Sequence, residues 1–381
     1  MDEGSGRAFR EENAVSAFRT IPGGELPLRA IVIGAGARSR AWLTSLVVSE
    51  DVKIVGLVDL DTAVAKASAD AAGLPGIPVA TSISQLLTEV SADVAINLTV
   101  PAAHYVVSSE ALRAGLPVLS EKPLTPTVAE GIALAAIAED AGQLLMVSQT
   151  KRYYRGFKQL QDVVGQMGRV GTVNVELFRG MREGGFPEKM AHPVLLDMSI
   201  HAFDGVRYLL DDEPVSVYCE EFNPPWSWYA GDAVVMAHFV TAGGVRFTYT
   251  GSWCSPGLET SWNGRWRVSA EHGSALWDGE GLPSWESEVE VNLSDSVDVA
   301  EDLAGSLVDF VSSIRTGTVP SSAARSNILS LAMVEAALRS SETGSRVNLK
   351  DVIDAGLEQA IARETAPGVL KILHSWADEG F

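Results

Sequence analysis

Arg29-Ala30-Ile31-Val32-Ile33 is a short apolar run that ends in Gly34-Ala35-Gly36 and passes at Ser39 into a helical stretch. A buried strand that turns this sharply into a helix has few ways to fold. It opens a parallel sheet whose carboxyl edge meets a helix N-terminus, the frame of a dinucleotide-binding fingerprint. Gly34 permits the tight turn and Gly36 lets the backbone approach a pyrophosphate. Ala37, Arg38 and Ser39 bring the free N–H groups of the helix start. Ser39 occupies the place of the usual third glycine, so slightly looser helix–strand packing is expected. Asp59 stands at the tip of the next strand, where a carboxylate accepts both adenosine ribose hydroxyls and repels a 2′-phosphate. Asp61 adds a second negative charge there, or simply caps the following helix. Arg38 argues the other way, since a guanidinium in the turn could hold a 2′-phosphate. The balance favours NAD, with NADP possible.

Strands and helices go on alternating after this turn. Strand patterns fall at 52–58, 94–98, 118–119 and 144–148, and helical patterns at 39–49, 62–72, 83–90, 104–114 and 128–141. Continuous apolar strands between helices predict a parallel sheet covered on both faces, an α/β Rossmann N-terminal domain over residues 28–150. The texture then changes. Runs at 173–178, 215–220, 233–240, 245–253, 265–270 and 286–292 alternate in polarity and are joined by Gly, Pro and Asn. They predict an α+β C-terminal domain with an open, mostly antiparallel sheet over residues 151–349. One helix, 194–210, comes early in this half, and helices at 300–315 and 323–341 come late. Residues 1–27 are expected to form a flexible N-terminal extension and residues 350–381 a C-terminal helical tail.

Charge narrows the partners. Lys+Arg total 29 against Asp+Glu 49, a formal charge of −20. That balance disfavours nucleic acid and an anionic membrane surface, both of which reward clustered cations. No apolar run approaches the roughly 18–20 residues that span a bilayer. Cys219 and Cys254 are too few for a disulfide framework, and His104, His238, His272 and His374 share no ligand spacing, so no metal is expected. A reducing cytoplasm is the expected location.

Two stretches carry a family resemblance. Ala95-Ile96-Asn97-Leu98-Thr99-Val100-Pro101-Ala102-Ala103-His104, followed by Ala114-Gly115-Leu116-Pro117-Val118-Leu119-Ser120-Glu121-Lys122-Pro123, resembles the Gfo/Idh/MocA oxidoreductase family. Ser148-Gln149-Thr150-Lys151-Arg152-Tyr153 resembles the segment joining its two domains. Asp197-Met198-Ser199-Ile200-His201-Ala202-Phe203-Asp204 is similar to its Asp-x-x-x-His-x-x-Asp pattern. The resemblance runs from about Leu28 to Leu349. It implies an NAD(P)-dependent oxidoreductase that moves hydride between nicotinamide and a ring hydroxyl of a sugar, sugar derivative or cyclic polyol. It also implies a homodimer or homotetramer, and a cofactor wall that includes Thr99, Val100, Pro101, His104, Glu121 and Lys122. Catalysis would fall to Lys122, Asp197 and His201, with Arg152, Tyr153 and His192 beside the substrate.

Chemistry supports parts of this independently. Lys122 follows a strand at the carboxyl edge of the sheet, where it could polarise a substrate oxygen. Thr99, Val100 and Pro101 end the strand before it. On an α-helix, Asp197, His201 and Asp204 share one face within roughly 60°. There a neighbouring carboxylate would raise the histidine pKa and orient its ring, unless the histidine merely bridges two acids in the core. Among the nine Trp residues, Trp226 and Trp228 are the pair expected on a substrate loop, although sheet core is the commoner fate of such residues. A redox-assisted glycoside lyase or hydrolase would use the same residues, whereas Lys122, Asp197 and His201 together argue against the other alternative, a non-catalytic nucleotide or sugar sensor.

Overall fold

Strands buried on both faces require helices above and below them, and the first half of the chain supplies both. The structure is a computed structural model that describes residues 18–23, 27–182, 184–185, 187–293 and 300–380. Its first half runs β1 (Leu28–Ile33), α1 (Ser39–Val47), β2 (Val52–Val58), α2 (Thr62–Ala71), β3 (Val79–Ala80) and α3 (Ile83–Leu86). It continues with β4 (Val94–Asn97), α4 (Pro101–Arg113), β5 (Val118–Ser120), α5 (Val128–Asp140) and β6 (Leu145–Val147). The six strands lie in the order β3-β2-β1-β4-β5-β6, all parallel. This is the doubly wound Rossmann arrangement, whose order reverses beside β1 and opens a crevice at the carboxyl ends of β1 and β4.

A 3-10 turn, Thr150–Tyr153, and α6 (Arg155–Val164) lead into the second half. There follow β7 (Val170–Phe178), a π-type turn at Val194–Met198, α7 (Ser199–Leu210), β8 (Pro214–Phe222), β9 (Val234–Thr241), β10 (Arg246–Ser252), β11 (Arg265–Ala270), β12 (Gly273–Trp277) and β13 (Ser284–Ser287). The chain closes with α8 (Asp302–Thr316), α9 (Ala324–Thr343), β14 (Val347–Asn348), α10 (Leu349–Arg363) and α11 (Pro367–Glu379). The second sheet has the order β13-β12-β11-β7-β10-β9-β8-β14 and is antiparallel except where β7 meets β10. Helix α7 covers one face of it, with Phe203 edge-on to Phe239, Phe247 and Tyr249.

Packing departs from chain order. Leu303, Leu307, Phe310 and Ile314 of α8 join the core on one face of the first sheet, with Val32, Ile96, Leu119 and Met146. Helices α9, α10 and α11 return to α5, where Gly356 of α10 comes so close that a Cβ would lie 2.8 Å from Val128. The extension is also docked where it is described. Phe18 is buried in the same core as α8, Arg19 N–H donates to Gly142 O, and Ile21 N–H donates to Ile314 O. Arg315 adds bonds to the carbonyls of Ile21 and Pro22, so flexibility does not hold for 18–22. Residues 1–17 and 24–26 lie outside the described residues.

Several boundaries moved for local reasons. Helix α4 begins at Pro101 rather than His104, because proline is pre-shaped for the first helical position and needs no N–H partner. The helix expected at 83–90 is the single turn α3, and β13 stops at Ser287, well short of 292. Among the described residues, no helix is long and apolar enough to cross a membrane.

Candidate active site

The carboxyl ends of β1, β4 and β5 face the start of α7 across a cleft of about 530 Å³. Its wall on the Rossmann side is built from Gly36, Ala37, Arg38, Leu98, Thr99, Val100, Pro101, Glu121 and Lys122. Thr150, Lys151, Tyr154, Asp197, Met198, His201, Trp262, Asn263, Asp302 and Leu303 complete it from the other side.

The glycine turn fits a dinucleotide. Gly34 has φ +94°, and a Cβ there would lie 2.8 Å from the backbone of Leu98 and Thr99. A Cβ on Gly36 meets no protein atom within 4 Å, so that side of the turn is open cradle. Helix α1 starts at Ser39, whose hydroxyl donates to Gly36 O at 2.7 Å and closes the turn from beneath. The small hydroxyl thus replaces the third glycine with a bond. Asp59 is fixed by Ala35 N–H on Oδ2 (2.8 Å) and Asp61 N–H on Oδ1 (2.9 Å), which leaves further lone pairs for ribose hydroxyls. Asp61 caps α2 through the N–H groups of Ala63 and Val64. Arg38 turns to Glu121 (2.9 Å) rather than to Asp59. With the acidic Asp59 standing alone at the ribose position, the residues fit NAD.

These contacts separate two glycine variants. Gly36→Ala is expected to keep the melting temperature and weaken NAD binding about tenfold or more, because its methyl occupies only the cradle. Gly34→Ala should lower the melting temperature as well. Calorimetric titration and thermal unfolding of both variants check this.

Two residues expected against the cofactor have their side chains engaged by the protein, Glu121 at the cleft wall and His104 behind it. Glu121 is buried, and its Oε1 accepts from Trp42 Nε1 (2.6 Å) and Arg38 Nε (2.9 Å), tying the end of β5 to α1. His104 does not line the cleft. Its ring lies between Pro123 O (2.7 Å) and Thr99 O (3.0 Å), joining the backbone on either side of the cleft wall, and burial lowers its pKa. Asn97, which sequence reasoning passed over, accepts Thr99 N–H and Oγ1–H on its side-chain oxygen and shapes the same turn.

Lys122 Nζ donates to Asp197 Oδ1 (2.7 Å) and to Asp197 O (2.6 Å). Asp197 lies within Val194–Met198, which is wound as a π-type turn, so the regular α-helical period behind the expected stripe begins only at Ser199. Asp197 and His201 nevertheless line the same cleft. His201 is buried and its Nδ1 has no hydrogen-bond partner among the described residues. Its pKa is lowered well below the ordinary histidine value by burial and by the charges of Lys122, Lys151 and Arg38. The expected upward shift from a neighbouring carboxylate is therefore reversed.

Asp204 belongs to a different network. It holds Arg152 through two bonds of 2.6 Å and also accepts from Ser330 Oγ, all of it buried. Arg152 is thus spent on the core and does not reach the cleft. Tyr153 donates to Asp309 of α8 (2.7 Å), and His192 is bonded to the buried Glu221 of β8 (2.9 Å). Neither lines the cleft. Trp228 donates to Met181 O and Trp226 is exposed on its loop, so the aromatic side chains of the cleft are Tyr154 and Trp262, the latter with the Arg179 guanidinium over its ring.

Lys151, one position before Arg152, is the cleft residue that sequence reasoning missed. Its Nζ donates to Trp262 O (2.5 Å) and Asn263 Oδ1 (3.0 Å). Its position just past β6 was the available signal, because Lys122 stands likewise just past β5. Among the described residues, no group of three or more His, Cys, Asp or Glu could hold a metal ion.

Comparison with known proteins agrees with this architecture. Residues 28–149 match the sequence model described as "Oxidoreductase family, NAD-binding Rossmann fold", and residues 157–276 match the "GFO/IDH/MocA C-terminal domain". An uncharacterized protein of Sinorhizobium fredii is 29% identical over 66% of this chain and 72% of its own length. Inositol 2-dehydrogenase of Acidiphilium cryptum is 32% identical over 50% of this chain and 56% of its own. The crystal structure of the WlbA dehydrogenase from Bordetella pertussis in complex with NADH and UDP-GlcNAcA superposes with a TM-score of 0.75 at 18% identity, covering 86% of this chain and 99% of that one. The two domain models together cover well over half of the sequence, and the chain belongs to the Gfo/Idh/MocA family of NAD-binding oxidoreductases.

Proposed function

We propose that the chain oxidises a ring hydroxyl of a sugar, sugar derivative or cyclic polyol, or reduces the matching ketone. The observation that carries this reading is Lys122 at the carboxyl edge of the sheet, bonded across the cleft to Asp197 and sharing that cleft with His201 and the open glycine cradle. NAD, when bound, supplies the hydride acceptor. The turn at Gly34 to Ser39 and Asp59 would hold it. Thr99, Val100 and Pro101 form the wall beside them.

The chain's own groups do the rest. The Lys122 ammonium donates to the substrate oxygen and stabilises the charge that develops there. Asp197 keeps that ammonium aimed into the cleft. His201 is neutral and takes the hydroxyl proton; with Nδ1 sealed in protein, the accepting atom is Nε2. Trp262 offers an aromatic face for the C–H side of a sugar ring.

The direction of the His201 shift sets a pH dependence. Lowering a base's pKa keeps it unprotonated as the pH falls through the ordinary histidine value. The acid limb of the turnover profile is therefore expected below pH ~6.5. An inflection at or above that value would remove His201 as the base. The reading itself is tested by single-turnover absorbance of the NAD-loaded protein against sugars, glycosides and inositols. Substrate-dependent reduction supports it, and tight NAD binding with no reduction by any compound overturns it. Spontaneous return of the oxidised form would mark the redox-assisted lyase.

A further inference from the structure

The cations of the cleft are not equally satisfied. Arg38 pairs with Glu121, and Lys122 pairs with Asp197. Lys151 is 6% exposed and has no carboxylate within ion-pair distance among the described residues. It donates to a main-chain carbonyl and an amide oxygen, both neutral. An ammonium has three N–H donors, so one remains for the cleft that Lys151 lines.

No carboxylate among the described residues pairs directly with this group. Burial lowers the Lys151 pKa to about 7, and Lys122 on the β5 side adds to the lowering. Asp302 at the head of α8 and Glu280 on the loop after β12 oppose it from beyond bonding distance. Glu280 is exposed and occupied by Ser261 Oγ, and Asp302 is partly exposed, so water screens both. Asp197 is engaged by Lys122, while His201 and Tyr154 line the same cleft as neutral groups.

Resting on the oxidoreductase reading above, we propose that Lys151 is the specificity-determining cation of the cleft and that its open N–H position receives a carboxylate on the substrate. The preferred substrate class is then a sugar acid or polyol acid. A phosphate is the poorer fit, because a dianion calls for a fork of donors and Lys151 offers one. Lys122 meanwhile serves the reacting oxygen at the other side of the cleft.

The proposal has a proton signature. An arriving carboxylate raises the lysine pKa, so binding takes up a fraction of a proton that grows as the pH rises through the lysine's range, and affinity falls on the alkaline side. The test uses the NAD-loaded protein and two matched pairs, glucuronate with glucose and gluconate with glucitol. Calorimetry in two buffers of different ionisation enthalpy reports both affinity and proton uptake. The acids are expected to bind at least roughly tenfold more tightly than their neutral partners. Lys151→Met should bring the ratio of acid to neutral affinity to about one, whatever the loss of its bonds to Trp262 and Asn263 does to both partners alike. Lys151→Arg should keep the preference but lose the proton uptake, since a guanidinium stays charged.

Equal binding of acid and neutral partners by the unaltered protein overturns the proposal, as does no binding of either acid. If Lys151→Met does not fold, the acid preference and proton uptake of the unaltered protein still decide. Failure here is separable from failure of the broader reading. Reduction of nicotinamide without acid preference removes Lys151 alone, whereas acid preference without reduction by any compound removes the oxidoreductase reading.

Discussion

Lys122→Ala is expected to bind NAD as before and to lose hydride transfer by roughly a thousandfold or more, combining the loss of the oxygen's charge-assisted donor with the loss of proton control. Nucleotide affinity should survive because the truncation touches neither the Gly34–Gly36 turn nor Asp59. The fold should survive as well. Asp197, the partner left behind, has a side chain 42% exposed and is hydrated once the lysine is gone. Single-turnover absorbance and an NAD titration on the same preparation separate the effects. Turnover within tenfold of the parent would remove Lys122 from the chemistry. A parallel collapse of NAD binding would mean the substitution had disturbed β5.

The second large effect concerns stability and leaves the chemistry alone. Asp204 and Arg152 meet through two bonds of 2.6 Å, with side chains 2% and 4% exposed. Ser330 Oγ donates to the same carboxylate, and Arg152 also reaches Ser321 and lies over the ring of Tyr208. Arg152→Met strands a buried carboxylate, and Asp204→Leu strands a buried guanidinium. Each is expected to cost roughly 3–5 kcal/mol in urea unfolding. The double variant should recover most of that loss, because neither charge is then buried alone. A single-variant cost below about 1 kcal/mol, with a raised KM instead, would return Arg152 to substrate binding.

These two outcomes mark where the sequence was legible. The strand–Gly-x-Gly–helix opening, the parallel first sheet and the residues at its carboxyl edge follow from short-range pattern. Asp59, Gly36, Thr99 and Lys122 stand where such a pattern must put them. The residues misread are those whose partners come from far along the chain. Arg152 and Asp204 are 52 positions apart, and His192 finds Glu221 across 29. Charge alone could not show whether such groups face a ligand or one another. Asp197 differs for a local reason instead. The wide turn at Val194–Met198 lies ahead of α7, so Asp197 shares the cleft with His201 without sharing its α-helical period. The edge strands β3 and β14, two residues each, are too short to leave a periodicity at all.

Helix α5 is apolar on every side, and its residues from Val128 to Ala138 are buried apart from Glu130. Its cover comes partly from α10 and α11, the last helices of the chain. The apolar surface of the nucleotide-binding half is thus closed by helices that follow the second sheet in sequence. Produced without α9, α10 and α11, that half is expected to leave α5 bare and to aggregate, because exposed apolar surface drives association.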